Sequence, residues 1–189
     1  MIPSSCAVAL KEWATVLEAM AKGEQLVLIR KGGLIEPGSG FELISQTFMF
    51  YPTFEHQAVN YLRAPYQGYV EEAAKRRAAE GSVRVDLFGV AVASHHVRDP
   101  SVIERLSAVH IYNEAFVSQR LKWQPEMPLV IVPVRAYRLA SPQLLPVIER
   151  YAGCKSWVEL EQPVSLAGAT PVLEESVFAS RLAQIQSLC

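Results

Sequence analysis

The stretch "PLVIVPVRAYRL", residues 128–139, carries the reading of the fold. Its apolar first half and mixed second half describe a long β-strand that ends near "ASP", and Pro133 inside it implies an edge position or a bulge, because proline cannot donate to the ladder. A second long strand is expected over "SVRVDLFGVAVASHHV", residues 82–97, which alternates and then turns almost wholly apolar, as if leaving an edge for the core. Gly89 marks a bulge in this reading. The two strands are separated by helical patterns, and no glycine-rich phosphate loop joins strand to helix. A single α+β domain over residues 1–189, with a mixed or mainly antiparallel sheet and flanking helices, is therefore favoured over a nucleotide-binding doubly wound fold.

Working outward, residues 7–22 place Trp13, Val16, Leu17 and Met20 at helical spacing and predict an amphipathic helix. "QLVLIRKGG" and "FELISQTFMFYP" predict two antiparallel strands joined by a loop rich in glycine. Thr53 is expected to cap a short helix over "TFEHQAVNYL", and "GYVEEAAKRRAAEG" a second one, with Glu71–Lys75 and Glu72–Arg76 pairs and Gly81 as its stop. Further helices are predicted at "PSVIERL", with Asp99 as cap and Pro100 in the first turn, at "EAFVSQRL", at "PQLLPVIERYAG" and over about residues 174–187. "SWVEL" reads as a short strand.

The chain has 189 residues, half of them apolar, and a net charge of -1, so it can bury a core but has no global positive field that would draw it to nucleic acid or an anionic membrane. Its longest apolar runs fall far short of the roughly 20 residues that span a bilayer. Lys11 and Glu12 interrupt the N-terminal segment and no basic start precedes it, so no secretory signal is read and a cytoplasmic location is expected. Three distant cysteines, Cys6, Cys154 and Cys189, argue for reduced thiols. No metal and no cofactor are expected: phosphate-loop, nucleophile-elbow and zinc-ligand spacings are missing, and the adjacent His95 and His96 of a strand point to opposite faces.

Two polar clusters remain as candidates. In "FEHQ", Glu55, His56 and Gln57 fall at a predicted helix start, where His56 could serve as a general base with Glu55; alternatively the group only satisfies first-turn N–H groups. In "HIYNEAFVSQRLKW", His110, Tyr112 and Asn113 precede a helix and Arg120 lies seven residues after Asn113, on the same face. An arginine beside exposed aromatic rings suits a phosphate-and-base contact, and equally an ordinary anchored helix. Arg30 and Lys31, before paired glycines, could hold an anion or merely block edge pairing. Arg135 and Arg138 face opposite sides of their strand, so at most one shares a surface with Arg120.

The blocks "ALKEWA", "LIRKGG", "FMFYPTFEHQ", "HIYNEAFVSQRL", "PLVIVPVRAYRL" and "YAGCKSWVEL" fall in order over about residues 7–160 and resemble the signature blocks of a bacterial family, the domain of unknown function DUF1802. The family's activity is not established. Some members are joined to a restriction-endonuclease-like domain, which implies work near DNA in restriction and modification. The resemblance assigns no chemical role to any residue.

Three functions compete. The first is a binding module for nucleic acid or a phosphorylated small molecule, using Arg30, Lys31, Gln57, Tyr112, Asn113, Arg120 and Arg135. The second is a hydrolase or nuclease-like enzyme whose acid and base come from Glu55, His56 and His110. The third is a structural or partner-binding protein without chemistry. They part on whether Arg30, His56, His110 and Arg120 converge on one cleft.

Overall fold

The computed structural model describes residues 2–31, 40–55, 59–153 and 155–189. Among these, the chain is an α+β fold built on one mixed sheet of eight strands with five α-helices around it. The strands are β1 (Ser5–Trp13), β2 (Val27–Arg30), β3 (Thr47–Thr53), β4 (Ser82–Ala91), β5 (His95–Val97), β6 (Leu129–Pro146), β7 (Trp157–Ser165) and β8 (Thr170–Pro171). The helices are α1 (Ala14–Ala21), α2 (Tyr69–Lys75), α3 (Pro100–Arg105), α4 (Glu114–Lys122) and α5 (Glu175–Leu188). Strand order is β2-β6-β4-β3-β1-β7, with β5 and β8 added to β6. The β1–β3 pair is parallel and the others are antiparallel.

The long strand over residues 128–139 is present and extends through Pro146. Pro133 is neither at an edge nor in a bulge: Val27 of β2 flanks it on one side, and on the other its carbonyl accepts the N–H of Val92 at 2.9 Å. Val92 lies between β4 and β5, so the donor that proline lacks is missing where the flanking partner changes from one strand to the other. That same change divides the expected strand over residues 82–97 into β4 and β5. Gly89 is not the bulge either, since the irregularity falls between Val85 and Leu87. A Cβ at Gly89 would stand 2.6 Å from Val134 Cγ1 and 2.9 Å from Phe50 Cζ, so close strand packing requires glycine.

In β3 the period of two is explicit. Phe48 and Phe50 join the core cluster that holds α1 and α4, while Met49 and Tyr51 join a second cluster with Phe88, Leu139, Val158 and Leu160 on the opposite face. Burying each such side chain contributes about 1.5–3 kcal/mol.

Several local expectations give way to tertiary pairing. The predicted helix over residues 7–22 is β1 followed by α1, because Ala9, Leu10 and their neighbours are taken up between β3 and β7. The two strands expected to run antiparallel to each other instead join different partners, β2 with β6 and β3 with β1 and β4. Thr53 caps no helix: it ends β3, its hydroxyl donating to the Glu12 carbonyl at 3.2 Å, and short 3-10 turns at Val59–Tyr61 and Ala64–Tyr66 follow. The helix expected at "PQLLPVIERYAG" is the end of β6 plus one 3-10 turn, Glu149–Tyr151. Leu144 and Leu145 pair with Arg84 and Val83 of β4, and Pro142 and Pro146 disfavour a helix interior. The capped helices did form as read: Asp99 accepts from Ser101 N at 2.9 Å and Asn113 from Phe116 N at 3.2 Å.

Candidate functional site

Four chain segments bring polar groups to one place. Glu12 and Trp13 end β1, Arg30 ends β2, Tyr112 stands just before α4, and Arg120 lies in the last turn of that helix. The Arg30 guanidinium donates to the Lys11 carbonyl and stands 3.4 Å from the Glu12 carboxylate, so it spans the gap between β1 and β2, which do not pair. Glu12 is buried, and its other oxygen accepts the Trp13 N–H at 2.7 Å. Arg120 reaches back over Phe116, with 5.1 Å between Cζ and the ring centre, an i,i+4 contact along α4. Among the described residues it makes no salt bridge, and the Nε of Arg30 is buried without a partner.

The rings form a wall beside these cations. Tyr112 and Phe116 stack at 3.7 Å, Trp13 meets both edge-on at 6.0 and 5.7 Å, and Tyr61 lies nearly parallel to Trp13 at 6.4 Å. Tyr112 and Phe116 are buried, whereas Trp13 and Tyr61 stay partly exposed. Burial holds the Tyr112 phenol well above its usual range, helped by the Glu12 charge, so it stays protonated. Burial also draws the Arg120 guanidinium below its ordinary value; Tyr112 opposes this, and the Arg30 charge adds to it. The Arg120 guanidinium nevertheless stays charged at neutral pH. Arg30 and Arg120 repel each other and share the field of one carboxylate, Glu12, so an anion between them would relieve their repulsion.

Of the residues singled out in the sequence, Arg30, Tyr112 and Arg120 converge. Asn113 supports them: besides capping α4, its amide donates to the carbonyls of Asn60 at 2.8 Å and Leu62 at 3.2 Å, which holds the Tyr61 turn against the helix. Lys31, 2% exposed, is no free cation. Its amine donates to the Leu121 carbonyl at 3.0 Å at the C-terminal end of α4, and burial lowers its pKa. Arg135 lies apart, paired with Glu175 and set over the Phe178 ring at 5.3 Å, where it fastens α5 to β6.

His110 is a core histidine rather than an accessible acid or base. It is 2% exposed, Nδ1 accepts the Tyr112 N–H at 3.2 Å, and Nε2 lies 2.9 Å from the Ile103 carbonyl. Burial pushes its pKa down to about 4, and the Arg63 charge adds to that. Glu55 is exposed after the end of β3. His56, Gln57 and Cys154 lie outside the described residues.

Glu12, Trp13 and Tyr61 were not read as site residues from the sequence. Trp13 was assigned to a helix core, and the remaining signal was the carboxylate–aromatic pair Glu12-Trp13 at what proves to be a strand end. A neighbouring cavity was also unread. It measures about 490 Å³ and opens between α1, α2, β3 and β4. In its wall Arg76 pairs with Glu18 at 3.0 Å and with Asp86, while the Glu72 expected to hold Arg76 pairs instead with Lys22 at 2.7 Å.

The fold can be set beside solved structures. A point mutant of the ASCH protein from Zymomonas mobilis is similar at 10% identity, with a TM-score of 0.48, over 82% of this chain and 90% of that one. A second point mutant of it shows 13% identity and a TM-score of 0.43 over 97% and 99% of the two chains. The ASCH protein without these substitutions shows 11% identity and a TM-score of 0.44 over 93% and 92%. No curated protein matches the sequence. The profile of the family described as "Domain of unknown function (DUF1802)" matches residues 9–184, nearly the whole chain, and the protein belongs to that family.

Proposed function

We propose that the protein is a binding module for single-stranded nucleic acid, with a backbone phosphate held by Arg30 and Arg120 and the adjoining base laid against Trp13 and Tyr61. The observation that carries this reading is the Arg30–Glu12 pair beside two partly exposed rings, with Arg120, laid over Phe116 of the same ring cluster, close enough to feel the charges of both. Phosphate contact supplies affinity, and a ring platform accepts any base, because every base has a π-face. The near-neutral net charge agrees with a local site rather than an extended basic track. The enzymatic alternative needs His110 at a cleft, and its two engaged ring nitrogens give that no support.

The test is fluorescence anisotropy with labelled eight-nucleotide RNA and DNA strands over a salt series. The one phosphate held between the two arginines gives a slope of log affinity against log salt of about -0.7, the value for one neutralised phosphate on a single strand. Arg120→Gln flattens that slope and weakens binding to all sequences alike. Binding that is absent, or that does not change with salt, would refute the proposal.

A further inference from the structure

The 490 Å³ cavity lies one strand over from the Glu12 end of the proposed phosphate site. In the parallel β1–β3 pair, Glu12 is the register partner of Pro52. Pro52 lines the cavity, as do Phe50 and Phe54, two residues to either side of it and so on the same face of the strand and its continuation. Adjacent strands lie about 4.8 Å apart. The carboxylate that balances Arg30 and the wall of the cavity are thus immediate neighbours, and Ala14, which follows Trp13, lines the cavity too.

The cavity repeats the chemistry of the first position. Phe54 is partly exposed, and Arg77 lies over its ring, with Cζ 5.0 Å from the ring centre. Arg77 is exposed, with no salt bridge among the described residues, whereas the deeper Arg76 is committed to Glu18 and Asp86 and acts as a fixed wall. The size falls within the range of about 300–1,000 Å³ usual for clefts that enclose small molecules. An aromatic platform, a spare cation at the rim and an apolar floor make a place for one planar base and its phosphate.

Building on the proposed function, we infer that this cavity is the second position of the same track: successive nucleotides of one strand occupy the Trp13–Tyr61 platform and then the Phe54 platform, with Arg77 on the second phosphate. The minimal ligand is a dinucleotide.

Calorimetric titration with adenosine 5′-monophosphate and with the dinucleotide pApA tests this. The dinucleotide is expected to bind about tenfold tighter, the lower part of the range for one added base stack. Phe54→Ala and Arg77→Ala, both away from the core, cut that gain below about threefold, whereas Arg120→Gln weakens both ligands. A gain in the parent chain below about threefold, or one that survives both cavity substitutions, overturns the second position and leaves the first intact. If neither ligand binds and the eight-nucleotide strands also fail, the proposed function itself falls.

Discussion

The proton of His110 sits on Nε2, because Nδ1 is occupied in accepting the Tyr112 N–H, so the neutral ring donates to the Ile103 carbonyl. Its folded pKa of about 4 lies below the ordinary 6.5, so the unfolded chain binds more protons between those values. The resulting stability is complete above pH 6.5 and is lost as pH falls toward 4, up to about 3 kcal/mol at about 1.4 kcal/mol per unit. Urea unfolding of the parent chain and of His110→Gln at stepped pH checks this. The parent should show the additional fall between pH 6.5 and 4 that the variant lacks; parallel curves would contradict a neutral buried histidine. A histidine next to a tyrosine and an asparagine reads as chemistry in the sequence. What removed that role is burial, which depends on α3 and the segment leading to Tyr112 closing over the ring.

At the scale of elements, α4 matters because it carries Phe116 and Arg120. Its N-terminus was legible: Asn113 is a strong capping type, and it caps. The sequence did not reveal that the same side chain also ties the turn at Asn60 and Leu62 to the helix. Asn113→Ala is expected to cost about 1–2 kcal/mol through the lost cap and the two unsatisfied carbonyls. Because the turn also positions Tyr61, nucleic-acid affinity should fall as well, while Asn113→Asp, which restores the cap alone, recovers helix stability but not affinity. Equal affinity in the two variants and the parent would show that the turn is not held by Asn113. Element type was misjudged mainly where a short apolar run fits both periods: "CAVALKEW" reads as helix by composition but lies as a strand between two partners.

Across the whole molecule, the sheet begins at β2 and has β1 next to its far end, yet Arg30 joins those two strands with its side chain. One guanidinium thus stands in for a ladder of backbone hydrogen bonds. Arg30→Met keeps the apolar stem but removes the link, and should cost about 1–3 kcal/mol, since the buried Glu12 carboxylate loses its partner. Hydrogen exchange should quicken at β2 and the end of β1 while the interior of β4 and β6 keeps its protection; uniform acceleration would mean that Arg30 supports the core as a whole rather than this closure. No helix among the described residues is long and apolar enough to cross a membrane.

The α+β class, the long strand over residues 128–139 and the capped starts of α3 and α4 were legible in the sequence, which also singled out Arg30, Tyr112 and Arg120 as candidates. Each of these rests on local physics: periodicity, a side chain within reach of its own backbone, or a cation at the end of an element. Only the tertiary structure decided which of the candidates meet. Arg135 and Lys31 carry the same charge as Arg30 and Arg120, yet one is held by α5 and the other by the end of α4. Glu12 and the cavity beside it arise from the parallel pairing of β1 with β3, segments about forty residues apart, whose register no local pattern encodes.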